Sequence, residues 1–327
     1  MHGGYIYGRG AADMKGHLAA LLTAAEGLLR EGWQPGGDIW FAFSCDEETR
    51  GGSMAAMVRL LQARGVRPAF VLDEGGNISQ PFALTRRPFA TVGVAEKGRL
   101  LFSLSCTAPR ALEELSRAAA RISRIHPRAR LCGPVLSAML PAMRPLLNGR
   151  DRFCLSHGRL FYRPLLHRLS RTATGRAITR TQLSLWKQSG DALLGDIPTL
   201  YYSASILPGD SAEALLRRVR RCIARSPITL SVQCQEEPGA LSPASGPAWD
   251  ALCTAIAVHF PGTVIVPSLL AGGTDARRME SLCPQVYRFS PFILSRDELL
   301  RVHGTDERLS LENLNRGVAF FRQMLQA

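Results

Sequence analysis

The sequence predicts an α/β protein in which one domain is interrupted by another, and three observations carry that reading. Helical and strand periodicities alternate over the first segment, a run ordered β-α-β-β-α-β follows, and the alternation of helix and strand resumes toward the C-terminus. With 327 residues and 46% hydrophobic content, the chain is long enough for one large or two medium cores.

The first segment predicts a helix over 14–30, a strand over 38–44, a helix over 53–64 and a strand over 69–72, with the strands parallel. Gly36-Gly37 turns the chain into the apolar run Ile39-Trp40-Phe41-Ala42-Phe43. In open α/β sheets the loops at the carboxyl ends of strands carry the sites, so motif residues at those ends are the first candidates.

From Glu96 the pattern changes to a strand over 99–105, a helix over 111–125, a helical insertion over about 126–179, strands over 181–187 and 200–206, a helix over 212–224 and a strand over 228–233. Without the insertion this is the split order of a ferredoxin-like domain, assigned to 96–240. A helix over 247–259, a strand over 264–266 and a closing helix over 311–326 complete the outer domain, assigned to 1–95 and 241–327.

The formal charge is +13, and only Lys15, Lys97 and Lys187 of the 40 basic residues are lysines. An arginine skew of that kind reads as codon bias. The excess is dense between Arg110 and Arg180 but lacks the interleaved aromatics that stack single-stranded bases, so no nucleic-acid partner is expected. No apolar run of about 18 residues and no signal-peptide pattern is visible, which predicts no membrane partner and a cytoplasmic location. The eight cysteines are widely spaced, without a Cys-x-x-Cys pair, and are read as reduced thiols.

Four clusters carry chemistry: Gly8-Arg9-Gly10-Ala11-Ala12-Asp13-Met14-Lys15-Gly16, Cys45-Asp46-Glu47-Glu48, Leu72-Asp73-Glu74-Gly75-Gly76 and Val302-His303-Gly304. Taken singly, each has a plain reading: a helix cap at Asp13, a solvated turn at Glu47 and Glu48, a loop residue at Asp73, a core or surface histidine at His303. Carboxylates gathered at one sheet edge repel by about 1 to 4 kcal/mol per pair at 4 Å, and a divalent cation offsets that most economically. Mixed carboxylate and imidazole donors suit zinc better than calcium or magnesium.

In order and separation these clusters resemble the M20 family of zinc metallopeptidases, most closely its carboxypeptidase S and N-acyl-amino-acid hydrolase branch. The resemblance implies a zinc-peptidase catalytic domain with a mostly parallel sheet, interrupted by the ferredoxin-like domain acting as a lid. It implies that Asp13 bridges two zinc ions, that Asp73 binds one, that Glu48 and His303 bind the other, and that Glu47 is the general base. It implies a glycine-rich substrate loop at Gly272-Gly273-Thr274-Asp275-Ala276-Arg277, with Gly273, Thr274, Asp275 and Arg277 contacting substrate and Arg277 suited to a carboxylate. Glu96-Lys97-Gly98 matches the point where the lid leaves, with Gly98 as a hinge. The substrate implied is a peptide C-terminus or an N-acyl amino acid, and the implied assembly is a homodimer through the lid.

The sequence also departs from the family pattern. The first ligand, in a His-x-Asp pair upstream of the Gly-Arg-Gly-Ala segment, has no counterpart, so the chain is expected to be N-terminally truncated or degenerate and to hold about one zinc tightly. The lid segment Cys106-Thr107-Ala108-Pro109 lacks the family's histidine. Ser205 stands where an arginine is expected before Pro208-Gly209, and the family's asparagine is replaced near Gly195-Asp196-Ile197-Pro198. The runner-up is a non-catalytic metal- or ligand-binding relative, and a basic polyanion-binding protein is a third class.

Overall fold

In the computed structural model the described residues are 1–48, 52–80, 87–157, 160–190 and 196–327, so Gly195 of the segment above lies outside them. The chain runs through β1 (Tyr5–Tyr7), α1 (Gly16–Arg30), α2 (Gly52–Ala63), β2 (Val71–Asp73), β3 (Ile78–Ser79), β4 (Phe89–Glu96), β5 (Gly98–Cys106) and α3 (Ala111–Ile122). Next come the insertion helices α4 (Leu140–Ala142), α5 (Gly149–Ser156), α6 (Tyr162–Ser170) and α7 (Ala173–Thr179), then β6 (Gln182–Ser189), β7 (Thr199–Ile206), α8 (Ala212–Ile223) and β8 (Ile228–Glu236). The remainder is α9 (Pro247–His259), β9 (Val264–Leu270), α10 (Ala276–Met279), β10 (Val286–Arg288), β11 (Ile293–Leu294), α11 (Arg296–Arg301), β12 (Arg308–Ser310) and α12 (Leu311–Leu325).

Two sheets organise the site. The first follows β11-β3-β4-β10-β2 with β9 also paired to β4. Its parallel pairs are β2–β10, β3–β11 and β4–β9, and its antiparallel pairs are β3–β4 and β4–β10. The β3–β4 reversal follows from the nine residues, 80–88, that separate the two strands, fewer than the dozen or more that a parallel crossover needs. Its core joins Val92 and Val94 to Ala20 and Ala24 of α1, Leu252 and Ile256 of α9, and Phe320 and Phe321 of α12. The α1 residues His17, Ala20, Ala24 and Leu28 recur at helical spacing, which puts one stripe of that helix inward.

The second sheet has the order β6-β7-β5-β8 and is antiparallel throughout, in the chain order β-α-β-β-α-β. Leu100, Phe102 and Leu104 of β5 and Tyr202, Ala204 and Ile206 of β7 pack against α3 and α8, burying one face. The alternate residues Arg99, Leu101, Ser103, Tyr201, Ser203 and Ser205 turn to the other face, because successive strand side chains point to opposite sides.

Two expectations are corrected. Residues 38–44 are not a strand: Ile39, Trp40, Phe41 and Phe43 are each more than one-third exposed, and among the described residues Ala42 alone of that run joins a core cluster, that of Met54, Val58 and Leu61. A strand needs a neighbour for its amide and carbonyl groups, and none pairs with this run among the described residues. The first helix starts at Gly16 rather than at Met14, because Asp13 adopts φ −130°, ψ 94°, outside the helical region.

Candidate metal centre

The centre is assembled from three distant turns. Gly10, at φ 81°, gives the chain a left-handed step that only glycine takes readily, and the irregular turn Ala11–Lys15 then presents Asp13 ahead of α1. Glu48 comes from the loop preceding α2. His303 follows α11 with φ 64°, a sparsely populated conformation for a residue with a side chain. Strain of that kind gathers where a side chain must be aimed.

Asp13, Glu48 and His303 each offer a donor atom, and the three lie within 4.8 Å of one another. His303 Nε2 is 2.9 Å from Asp13 Oδ2 and 2.9 Å from Glu48 Oε1, and all three side chains remain partly open to solvent. Two carboxylate oxygens and one imidazole nitrogen form a donor set that suits zinc with a position left open. Asp73 stands apart from this trio. Its Oδ2 accepts the Ala276 N–H at 2.8 Å, and burial raises its carboxyl against the opposing amide donors. Thus three of the four residues expected to bind metal meet, and no second group of three donors exists among the described residues.

Glu307 and Glu74, neither of them expected to have a role, support the trio. The Glu307 side chain is almost fully buried and accepts the Ala12 and Asp13 N–H groups at 3.0 and 3.1 Å. Burial alone acts to raise Glu307, but the amide donors of Gly10, Asp13 and Ala12 and the nearby Arg9 hold it below the usual carboxylate range. Arg9 also reaches Glu48 at 3.5 Å. Burial, with a hydrogen bond to Asp13 and the charge of Asp73, raises the Glu74 carboxyl well above the usual carboxylate range, which favours the protonated form that can donate to Asp13. Glu74 follows Asp73 in sequence, and that adjacency was the only available signal. Glu307 had none.

Glu47 feels the charges of Asp13 and Glu48 and also opens onto a cavity. It lines a cavity of about 580 Å³ between the open face of the four-stranded sheet and the loop preceding α10. Burial first, and then the charges of Glu48, Asp275, Asp13 and Asp73, push its carboxyl up to about 7, where a general base works best near neutral pH.

The cavity wall also contains Gly273, Thr274, Asp275 and Arg277. Thr274 Oγ1 donates to Glu96 Oε1 at 2.8 Å, and Asp275 accepts from Ser44 Oγ. Arg277 is committed internally: Nε lies 3.3 Å from Glu96, Nη1 donates to the Glu237 carbonyl at 3.0 Å, and Nη2 donates to the Lys97 carbonyl. Glu96 is in turn held by Arg288 at 2.6 Å, both side chains fully buried, and Arg288 reaches Glu280 at 2.8 Å. Gly98 packs tightly, since a Cβ there would lie 2.6 Å from the Glu236 carbonyl oxygen.

Across the cavity stand Arg99, Lys187, Trp186, Tyr201 and Leu101. Arg278 is paired with Glu236 at 3.1 Å, whereas neither Arg99 nor Lys187 has an ion pair among the described residues. Lys187 Nζ instead lies 5.6 Å from the Tyr201 ring centroid.

Known proteins resemble this chain in sequence and in fold. The chain is 31% identical over 348 residues to the probable carboxypeptidase S-like 2 of Dictyostelium discoideum, covering 98% of this chain and 65% of that protein. It is 30% identical to the N-fatty-acyl-amino acid synthase/hydrolase PM20D1 of Bos taurus, covering 99% of this chain and 68% of the relative. The chain thus spans about two thirds of the length of these relatives. Among solved structures, an M20 family metallo-carboxypeptidase from Sulfolobus solfataricus superposes with a TM-score of 0.72 at 12% identity, covering all of this chain and 78% of the other. Human carnosine dipeptidase 1 gives 0.65 at 13% identity, covering all of this chain and 75% of the other, and at such identities the likeness speaks for the fold alone. The profile of peptidase family M20/M25/M40 matches residues 1–327, and the chain belongs to that family.

Proposed function

We propose that the chain hydrolyses an amide bond next to a free carboxylate, in a peptide C-terminus or an N-acyl amino acid, with Glu47 as general base. The observation that carries this is the placement of Glu47 on the wall of a 580 Å³ cavity, next in sequence to one member of the Asp13, Glu48 and His303 trio. Those three residues would hold a zinc ion, which when bound supplies a Lewis acid and lowers the pKa of water from 15.7 to about 7. Glu47, poised near neutrality, takes the proton of the attacking water and returns it to the leaving amine. Glu74 and Glu307 keep Asp13 aimed throughout.

Substrate orientation falls to the opposite wall. Arg99 and Lys187 receive the substrate carboxylate, because Arg277 and Arg278 are already paired with protein carboxylates. Trp186, Tyr201 and Leu101 offer an apolar surface for the acyl chain or side chain. The four-stranded sheet thereby acts as the lid that covers the amide. The relatives, a probable carboxypeptidase S-like protein and an N-fatty-acyl-amino acid synthase/hydrolase, support a carboxylate beside the scissile bond.

The test is hydrolysis of an N-acyl amino acid against its primary-amide analogue in the presence of zinc. Turnover of the acid and loss of at least tenfold in kcat/KM for the analogue is expected. Equal rates would remove the carboxylate from the account, and zinc binding without turnover of any amide would favour a non-catalytic relative.

A further inference from the structure

We propose that the helical insertion is a docking surface for an anionic lipid bilayer. Residues 126–180 carry eleven arginines against one carboxylate, Asp151, a formal +10 out of the whole chain's +13. Codon bias alone explains arginine in place of lysine; it does not explain why acidic residues are missing from this segment and nearly balance the basic ones elsewhere. The charge is therefore local, and it sits on one structural unit.

That unit is folded onto the body of the protein. Leu131, Cys132, Val135, Leu140 and Ile178 pack with Ala95, Leu207 and Leu269. Lys97 Nζ donates to the carbonyls of Ala177 and Arg180, each at 2.9 Å, and Arg130 pairs with Asp210 at 2.9 Å. Asp151 is taken by Arg168 at 2.5 Å. Among the described residues, Arg128, Arg144, Arg150, Arg152, Arg163, Arg171 and Arg176 are exposed and have no carboxylate partner.

Large apolar side chains are exposed among these cations. Phe153 is 56% exposed and Leu160 82% exposed. Arg150 and Phe153 lie three apart along α5 and so share one face of it, and His157 follows directly as its C-cap. The Phe153 ring lies 4.3 Å from His157 and 6.0 Å from Phe161, which extends the patch toward Leu160. Guanidinium groups around protruding apolar side chains match a lipid interface, where the cations meet headgroup phosphates and the apolar groups enter the acyl boundary. A nucleic acid would use the charge but offers no apolar phase for aliphatic Leu160. The expectation of no membrane partner rests on the lack of a spanning segment, and surface docking needs none; no helix among the described residues is long and apolar enough to cross a membrane. This inference stands apart from the catalytic reading, since vesicle binding is measured without substrate.

The test is co-sedimentation of the full chain with vesicles of phosphatidylcholine alone and of phosphatidylcholine with one-third phosphatidylserine, at low and high salt. Binding to the anionic vesicles only, released by high salt, is expected. Arg150→Gln, Arg152→Gln and Arg163→Gln combined should weaken it about 100-fold, at roughly fivefold per charge. Phe153→Ser with Leu160→Ser should weaken it at least tenfold with every charge retained, and the melting temperature of each variant reports whether it is folded. Absence of binding to anionic vesicles by the unmodified chain would overturn the proposal. So would binding indifferent to the serine substitutions in a folded variant, or tighter binding to an oligonucleotide than to the vesicles.

Discussion

Glu307 and Asp13 are 294 positions apart in sequence, yet the Glu307 carboxylate accepts the Asp13 backbone N–H at 3.1 Å and so fixes the turn that aims the Asp13 side chain. This makes Glu307 an orienting residue for the centre. Glu307→Ala should lower zinc affinity by about 10- to 100-fold, the usual cost of removing a group that holds a ligand. Competition with a chelating dye measures this, and unchanged affinity would release Glu307 from that role.

The Glu96 and Arg288 pair is buried on both sides and joins the sheet to the substrate loop through Arg277 and Thr274. Arg288→Met leaves Glu96 without its shortest ion pair. A loss of about 3 to 5 kcal/mol is expected from urea unfolding, as for other buried pairs broken from one side.

Arg99 is assigned to the substrate carboxylate because the nearby Arg277 and Arg278 are occupied. Arg99→Gln should raise KM about tenfold or more with kcat nearly unchanged, since a charged hydrogen bond contributes about 1.5 to 3 kcal/mol. Steady-state kinetics on an N-acyl amino acid separates the two constants. A fall in kcat at constant KM would contradict the assignment.

His17 is buried beside Phe321, with Nδ1 3.3 Å from Ser290 Oγ, and burial lowers its pKa from 6.5 to about 4 despite the opposing charge of Asp13. The folded protein keeps this ring neutral while the unfolded chain protonates it. Its contribution is therefore complete above about pH 6.5 and is lost as the pH falls toward 4, by roughly 3 kcal/mol. His17→Gln should flatten that part of the stability profile. An identical pH dependence in both proteins would contradict the buried, neutral state.

The ferredoxin-like order was legible because alternation along β5 and β7 and the apolar stripes of α3 and α8 are local patterns. Asp13, Glu48 and His303 were legible only as motifs in a recognised order, since nothing local states that they meet. The 38–44 run misled because a continuous apolar stretch has the composition of a buried strand, while forming one depends on a neighbour that composition does not reveal. Glu307 and Arg288 were hidden for a related reason: each acts on a residue roughly 200 to 300 positions away, through contacts that only the folded chain creates. Arg277 shows the converse. Its type suited a carboxylate, and the structure supplies that carboxylate from Glu96.

Zinc titration of the full chain beside His303→Ala tests the central claim most directly, with bound metal counted by elemental analysis. The account predicts one tightly held ion per chain and at least a 100-fold loss of affinity in the variant, with Glu47→Gln keeping its metal. Equal zinc content and affinity in His303→Ala and the unmodified chain would mean that Asp13, Glu48 and His303 do not form a metal centre.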